Sequence, residues 1–412
     1  MAKKAKVEVS GGSIFDIINS VDNGCELIEQ SAGAQITDYI STGSYILNAA
    51  ITGSMFRGIP CGRVTTLAGS PGAGKSFLAL SVCREAQNNG YVPIYLDSEG
   101  AQDVNSVSRL GVDTKKFMIK QVNTISEVST FILNLCTKLE AIPEESRDKV
   151  IIVLDSLGNL TSNKEAEDIL NATGKRDMTK QQEIKALFRV CATPLAKLHI
   201  PFIVISHIYQ TQDLFSKQVV SGGSGINYNS SVTLMLNAAK LNGADKDNDK
   251  AAESAKGDLI KSGVVVSARP EKSRFTIPQK VSFYIPFFKA PNPYVGLDQY
   301  MTWENCGIAR GKCYTQKEYD KLKPAEQTAC VSFDFNGEKK YALLKDSARG
   351  IVVKHLGCDI APNEFLTSKV FTEEFMKKFD EEVIKPAFEL PDQSKWDNDD
   401  ELVNELIDEI VE

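Results

Sequence analysis

Long apolar runs and paired cysteines are missing from this sequence. No apolar run among the 412 residues reaches the ~18 that a helix needs to span a bilayer, so no transmembrane segment is predicted. The basic start, residues 1–6, is not followed by an apolar region, which argues against a secretory leader. The nine cysteines are scattered singly with no CxxC pair, which argues against a zinc site and a disulfide framework. We therefore expect a reduced, intracellular protein without a membrane partner.

A large excess of charge of either sign is also absent from most of the chain. The formal net charge is −7, but residues 389–412 contain ten acidic side chains and a single lysine. Residues 1–388 hold 46 basic and 44 acidic residues, a near-neutral balance that neither requires nor excludes a polyanionic partner. The acidic tail also repeats apolar residues at helical spacing, which is consistent with folding on a partner.

The distribution of apolar residues predicts an α/β fold. Seven short apolar runs predict strands, at 64–68, 94–96, 117–119, 150–154, 202–205, 232–236 and 264–266. Three stretches between them have helical spacing, at 76–88, 125–140 and 180–198. This alternation favours βαβ units in a mostly parallel, doubly wound sheet with helices on both faces. The run before Asp155 is apolar on both faces and therefore predicts a central strand.

The length of the chain predicts two or three domains. Beyond Pro291 the pattern becomes mixed and charge-rich and ends in a helix-like stretch at 372–388, so we place a boundary near 290. Residues 13–31 have helical spacing, which fits either a helix on its own domain or an arm on a neighbour. The composition of residues 241–262 predicts a surface hairpin or loop.

A phosphate-binding loop is the clearest motif. The sequence Gly-Ser-Pro-Gly-Ala-Gly-Lys-Ser follows a predicted strand and opens a predicted helix, the context that this motif requires. Its glycines allow backbone N–H groups to surround an anion, while the lysine reaches the β- and γ-phosphates and the serine hydroxyl binds Mg²⁺. The nucleotide-binding residues of the loop are Gly69, Ser70, Pro71, Gly72, Ala73, Gly74, Lys75 and Ser76.

Three carboxylates follow two of the predicted strands. Asp155 closes the strand 150–154, where a Walker B acid contributes to metal binding in proteins with this loop; an ordinary strand-end turn is the alternative. Asp97 and Glu99 follow the strand after the phosphate-loop helix and project from the same sheet edge. Two carboxylates beside a phosphate loop predict hydrolysis of the nucleotide.

At these motifs the chain resembles the RecA-type strand-exchange recombinases, and in particular the UvsX recombinases of tailed bacteriophages. The resemblance covers about 35–290 and is specific, because several separated motifs occur in the same order. These motifs are residues 40–43, 62–64, 96–100, 109–113, 154–160, 177–179, 187–189, 206–217 and 222–225. The resemblance implies a RecA-like ATPase core at 35–290, with a helical assembly arm at 1–34. A small α+β domain would follow at 291–388, and the acidic tail at 389–412.

The resemblance also assigns roles around the nucleotide. It implies that Glu99 is the catalytic base and that Lys75 and His207 are further catalytic residues. His207 stands where bacterial members have a glutamine that senses the γ-phosphate. It adds Phe77 and Asp103 to the nucleotide-binding residues. A tyrosine that stacks on adenine in the bacterial proteins is replaced here by Ser106, so base recognition must differ.

The resemblance also aligns Lys272 and Arg274 with basic residues of the family that reach the ATP of a neighbouring subunit. They follow the predicted strand 264–269. A solvent-facing surface pair is the alternative interpretation.

Two further segments, 163–179 and 208–225, correspond to the family's DNA-binding loops. Lysine and arginine there suit phosphates, glycine suits mobility, and phenylalanine suits stacking or wedging. The DNA-binding residues implied are Lys164, Lys175, Arg176, Phe215, Lys217, Gly222 and Gly223.

The function implied by the resemblance is ATP-dependent recombination. With ATP and Mg²⁺ as cofactors, the chain would form a helical filament on single-stranded DNA and exchange strands with double-stranded DNA in recombination, repair and replication restart. A single-strand-binding protein and a mediator protein are expected partners, in the cytoplasm of a phage-infected bacterium. The alternatives are a RecA-fold hexameric helicase and a nucleotide-switched scaffold without turnover.

Overall fold

The computed structural model describes residues 27–165, 179–210, 218–221, 224–239, 263–286 and 291–390, together with Ile18 and Cys25. Most of the predicted arm helix, the loop at 241–262 and nearly all of the acidic tail lie outside these ranges. Residues 28–30, near the end of the helical pattern predicted at 13–31, form a turn rather than a helix. Within them, none of the helices has the length and apolarity to cross a membrane.

A large, mostly parallel sheet forms the centre of the molecule. Its eight-strand path runs β11-β10-β9-β3-β7-β6-β4-β5, and β8 pairs with the end of β7. The six strands from β9 to β5 are parallel to one another, whereas β10 and β11 continue the sheet antiparallel. The strands before and within this sheet are β1 (Tyr39–Ile40), β2 (Ile59–Pro60), β3 (Val64–Gly69), β4 (Val92–Asp97), β5 (Met118–Gln121), β6 (Val150–Asp155), β7 (Phe202–Gln210), β8 (Gln218–Val220), β9 (Val232–Ala239), β10 (Gly263–Ser273) and β11 (Val281–Pro286).

Helices cover both faces of this sheet, as the alternation of patterns predicts. The helices of this part are α1 (Tyr45–Thr52), α2 (Lys75–Asn88), α3 (Val104–Arg109), α4 (Ile125–Glu140), α5 (Lys180–Lys197) and α6 (Ser224–Asn229). One apolar cluster includes α1 and α2, and a second includes α4 and α5. Because both faces are covered, β3 and β6 are buried along their whole length, which explains their near-continuous apolar sequences.

The chain after residue 291 builds a second, antiparallel sheet in the order β13-β14-β12-β15-β16. Its strands are β12 (Ile308–Thr315), β13 (Cys330–Phe335), β14 (Glu338–Leu344), β15 (Ile351–Val353) and β16 (Cys358–Ile360). Short helices accompany it: α7 (Trp303–Cys306), α8 (Gln316–Tyr319), α9 (Pro324–Ala329), α10 (Pro362–Phe365), α11 (Glu373–Phe379) and α12 (Lys385–Phe388). The domain boundary near 290 falls between the two sheets and stays a prediction.

A buried carboxylate connects the last helices to the core. Asp380, in the π-helical turn between α11 and α12, accepts hydrogen bonds from the Ser54 hydroxyl (2.6 Å) and from the Met55 N–H (2.7 Å). The helix-like pattern at 372–388 is confirmed as helical. It consists of α11, a π-helical turn at 380–384 and α12, which follow one another directly.

The seven predicted strands and three predicted helices are confirmed. The main difference is length: β10 continues to Ser273, so that Lys272 lies within the strand rather than after it. Its pairing with β9 extends through a register shift between Pro270 and Lys272, and this irregularity hides the continuation from the sequence pattern.

Candidate active site

The phosphate loop joins the end of β3 to the start of α2, as the motif predicts. Gly72 and Gly74 have φ values of 75° and 82°, a region that favours glycine. A Cβ atom at Gly69 would lie 2.3 Å from the Leu236 carbonyl oxygen on the neighbouring strand. The glycines are therefore required by the turn and by close packing against β9.

Lys75 points back across this loop. Its ammonium donates hydrogen bonds to the carbonyl oxygens of Gly69 (3.0 Å) and Ser70 (2.9 Å), and the residue is only 6% exposed. Burial lowers the pKa of Lys75, and the nearby charges of Asp155 and Glu99 partly offset this effect. The ammonium therefore lies against the backbone carbonyls of the loop.

Asp155 lies beside the first turn of α2. Its carboxylate accepts a hydrogen bond from the Tyr95 hydroxyl (2.6 Å) and another from the Ser76 hydroxyl. Burial raises the pKa of Asp155, the two hydroxyls lower it, and the charges of Glu99 and Asp97 raise it further. In the described ranges no lysine or arginine forms a salt bridge with it. A buried carboxylate beside a hydroxyl, without a paired cation, fits Mg²⁺ binding through Ser76 and Asp155.

Glu99 and Asp97 have different environments although they lie two residues apart. Asp97 is buried and its Oδ1 accepts the N–H groups of Glu99 and Gly100, both at 2.9 Å, so it stabilises the turn after β4. Glu99 is partly open to solvent and its Oε1 accepts a hydrogen bond from the Ser156 hydroxyl at 2.7 Å. This difference supports Glu99 rather than Asp97 as the base.

His207 contacts the same carboxylate oxygen. His207 Nε2 lies 3.2 Å from Glu99 Oε1. The His207 carbonyl accepts the Ser221 N–H at 2.7 Å, and the Ser206 hydroxyl donates to the Ser221 carbonyl at 2.6 Å. Because β8 pairs with the end of β7, the segment 208–225 begins and returns beside the predicted base.

The other implied DNA-binding residues are mostly outside the described ranges. Lys164 is exposed, as a phosphate-contacting residue must be. Lys175, Arg176, Phe215, Lys217, Gly222 and Gly223 lie outside the described residues, and their roles stay predictions.

Asp103 and Phe77 lie at the beginnings of two different helices, α3 and α2. Asp103 is the N-cap of α3, where its carboxylate accepts the N–H groups of Asn105 and Ser106 and the Ser106 hydroxyl. Ser106, which the resemblance places at an adenine-stacking position, is therefore part of a helix cap. Phe77 is half-buried in the first turn of α2. Their contacts with a nucleotide stay predictions.

Lys272 and Arg274 lie at the opposite edge of the sheet from the phosphate loop of their own chain. Ser273 pairs with Val232, and Val232 pairs with Thr65 near the start of β3. The phosphate loop begins at the other end of that strand, roughly 13 Å away at ~3.3 Å per residue. The pair therefore does not face the phosphate loop of the same chain.

A cleft of about 680 Å³ opens at this second edge. Its basic residues are Arg63, Lys197 and Arg274, and Tyr228 also lines it with its side chain 75% exposed. Lys272 donates a hydrogen bond to the Tyr228 carbonyl at 3.1 Å. Burial and the charge of Arg274 lower the pKa of Lys272, so the cations are close enough to influence each other.

Sequence reasoning missed Tyr95 and Ser156, whose hydroxyls contact the carboxylates of Asp155 and Glu99. Tyr95 occurs within a short apolar run that indicates a core strand, and Ser156 lies in the motif at 154–160, to which the resemblance assigns no role for the serine. The only signal for Tyr95 is a polar hydroxyl on a residue that must be buried, since such a group needs a hydrogen-bond partner.

Comparison with known proteins supports the resemblance. A family model for the RecA N-terminal domain matches residues 20–276. The recombination and repair protein of Enterobacteria phage T4 is 31% identical over 264 residues, which cover 63% of this chain and 62% of that protein. Protein RecA of Helicobacter hepaticus (strain ATCC 51449 / 3B1) is 30% identical over 201 residues, covering 48% of this chain and 54% of that protein. The chain thus aligns with less than two thirds of the length of these relatives.

Proposed function

The chain belongs to the RecA N-terminal domain family, and on this basis we propose that it is a DNA-dependent ATPase that acts as a recombinase. It assembles as a helical filament on single-stranded DNA and exchanges strands with homologous duplex DNA. The observation that carries this proposal is the contact between Glu99 and His207, at 3.2 Å. It joins a residue beside the phosphate loop to the base of the segment 208–225.

Binding of the nucleotide is assigned to the loop from Gly69 to Ser76 and to Lys75. Backbone N–H groups and the N-terminus of α2 attract the phosphates, and the Lys75 ammonium exchanges its carbonyl partners for phosphate oxygens. Mg²⁺, held through Ser76 and Asp155, would neutralise charge on the β- and γ-phosphates. The Asp155 carboxylate is ready for this role because Tyr95 and Ser76 already hold it.

Hydrolysis is assigned to Glu99. Its Oε1 is held by Ser156 and approached by His207, whereas in the described part of the chain no group donates to Oε2. Oε2 is therefore the atom that accepts a proton from the attacking water. A fixed carboxylate orients that water, a step that depends on position rather than on covalent chemistry.

Coupling to DNA is assigned to His207. Two hydrogen bonds join Ser206 and His207 to Ser221, so the backbone that carries the imidazole is connected to both ends of the segment 208–221. A change in this segment on binding DNA would therefore change the environment of Glu99. We propose DNA contacts from Lys164 and from the residues of 163–179 and 208–225 named above.

Filament assembly is supported by the position of Lys272 and Arg274. Since these cations lie at the edge remote from their own phosphate loop, a neighbouring subunit is the source of the phosphate they would meet. Contacts of this head-to-tail kind that do not close give open helices. We propose that the filament works with a single-strand-binding protein and a mediator protein. We also propose that it acts in the cytoplasm of a phage-infected bacterium.

The test is an ATPase assay with and without single-stranded DNA, followed by electron microscopy of the protein with DNA and ATP. A recombinase gives DNA-stimulated turnover, open filaments and pairing of homologous strands. Closed rings that unwind a forked duplex would instead identify a hexameric helicase. ATP binding without DNA-stimulated turnover would identify a nucleotide-switched scaffold.

A further inference from the structure

Tyr95 lies on β4, beneath the acidic edge of the site. The residue is completely buried, and its ring packs against Phe117 with 5.6 Å between the ring centroids. Its hydroxyl donates to Asp155 Oδ2 at 2.6 Å and lies 3.4 Å from Gln102 Nε2, which donates to it. The three side chains form one directional chain of donors that ends on the carboxylate.

The hydroxyl is more than a filler of the core. A phenylalanine would supply the same ring contacts, so packing alone does not require the oxygen. A tyrosine hydroxyl has a single proton, so it donates one hydrogen bond, and here the acceptor is Asp155. Because the ring is held by its neighbours, the hydroxyl is a fixed point that limits rotation of the carboxylate.

We propose that Tyr95 is a positioning residue for the metal-binding carboxylate: it holds Asp155 in one orientation before nucleotide and Mg²⁺ bind. The inference rests on the proposed role of Asp155 in metal binding. Groups that orient a metal-binding side chain commonly change metal affinity or activity by about 10- to 100-fold when they are removed. In the described residues the hydrogen bonds of the Tyr95 hydroxyl join it to Asp155 and Gln102, and of these two only Asp155 is assigned to the metal, so the effect of removing the hydroxyl should pass through Asp155.

The chain offers a matched control. Tyr91 is also a buried tyrosine, at the other end of the sheet, and its hydroxyl donates to a carboxylate oxygen, Asp38 Oδ2, at 2.8 Å. Tyr91→Phe therefore removes the same type of hydrogen bond as Tyr95→Phe without affecting the phosphate site. Thermal unfolding of both variants measures the structural cost of each change.

The experiment measures binding of a fluorescent, slowly hydrolysed ATP analogue, once in EDTA and once in saturating Mg²⁺. The dissociation constant in EDTA divided by that in Mg²⁺ reports how much the metal contributes to binding, and a lower ratio means a smaller contribution. We expect Tyr95→Phe to weaken binding in Mg²⁺ by about tenfold and to leave binding in EDTA unchanged. Tyr91→Phe should match the wild type in both conditions, even if both variants lose the same thermal stability.

Asp155→Asn separates failure of this inference from failure of the proposed function. If Asp155→Asn keeps the wild-type ratio, the metal role of Asp155 is wrong, and the role of Tyr95 is rejected with it. If Asp155→Asn lowers the ratio while Tyr95→Phe matches the wild type, only the positioning role is overturned. Equal losses in EDTA and in Mg²⁺ for Tyr95→Phe would show a purely structural residue and would also overturn it.

Discussion

Glu99 Oε1 and His207 Nε2 lie 3.2 Å apart, although 108 positions separate the two residues in the chain. One residue follows β4 and the other lies within β7, near the point where β8 pairs with it. The contact therefore joins two parts of the sheet edge, one beside the phosphate loop and one at the base of the implied DNA-binding segment.

Glu99→Gln should separate nucleotide binding from hydrolysis. The amide has nearly the same shape but accepts no proton, so turnover should fall by about two or more orders of magnitude. ATP should still bind, and the filament on single-stranded DNA should persist, as seen by ATPase assay and electron microscopy. Asp97→Asn is the control, because its amide oxygen can still accept the N–H groups of the turn. Loss of turnover in Asp97→Asn together with normal hydrolysis in Glu99→Gln would reverse the assignment.

His207→Ala should reduce the stimulation of ATPase by single-stranded DNA. The variant removes the imidazole that contacts Glu99 but leaves the backbone bond between His207 and Ser221 in place. We expect about a tenfold loss of stimulation, within the usual range of coupling between two sites, with little change in turnover without DNA. His207→Gln should retain more of the stimulation because it keeps a donor near Glu99. Full stimulation in His207→Ala would reject the coupling role.

A mixing experiment tests whether Lys272 and Arg274 act on a neighbouring subunit. Lys75→Ala and the double variant Lys272→Ala/Arg274→Ala should each be inactive alone. In mixed filaments some interfaces combine an intact phosphate loop with intact cations, so DNA-dependent ATPase should partly return. Co-assembly is verified by labelling the two variants differently. If they co-assemble and activity stays at the level of the single variants, the cations do not complete a neighbour's site.

Asp380→Ala should destabilise the contact between the last helices and the core. The substitution leaves the buried Met55 N–H without the partner it has at 2.7 Å, a loss of about 2 kcal/mol in the free energy of unfolding. Urea denaturation measures this change. Asp346→Ala, at an exposed position, is the control and should change stability by less than about 0.5 kcal/mol. Equal midpoints for the two variants would mean that the Asp380 contact does not stabilise the fold.

His355 should make stability depend on pH. Burial lowers the pKa of His355, and its Nε2 donates to the Val370 carbonyl at 2.8 Å, while its buried Nδ1 has no hydrogen-bond partner among the described residues. The unfolded chain therefore binds a proton more readily than the folded one, so stability should fall as pH drops below about 6.5. Denaturation midpoints between pH 8 and pH 5 measure this. His355→Phe, which keeps a ring beside Phe375, should have a smaller decline. An identical decline would assign the effect to other groups.

The local features of this protein could be predicted from its sequence because their determinants are contiguous. The phosphate loop needs glycines, a lysine and a serine within eight positions, and its flanking strand and helix have their own periodicities. The buried strands, such as β6, are visible as continuous apolar runs because both of their faces are covered. The fold class and the proposed position of nucleotide binding follow from such patterns.

The relationships between distant residues were decided only by the tertiary structure. Strand order and register bring Tyr95 under Asp155 and His207 against Glu99, and no periodicity in the chain records which strands become neighbours. The same register places Lys272 and Arg274 at the edge remote from their own phosphate loop, which sequence spacing alone left open. Local patterns specify which residues form strands and helices. Contacts between side chains of different elements depend on how those elements pack, because packing brings together residues that are far apart in the chain.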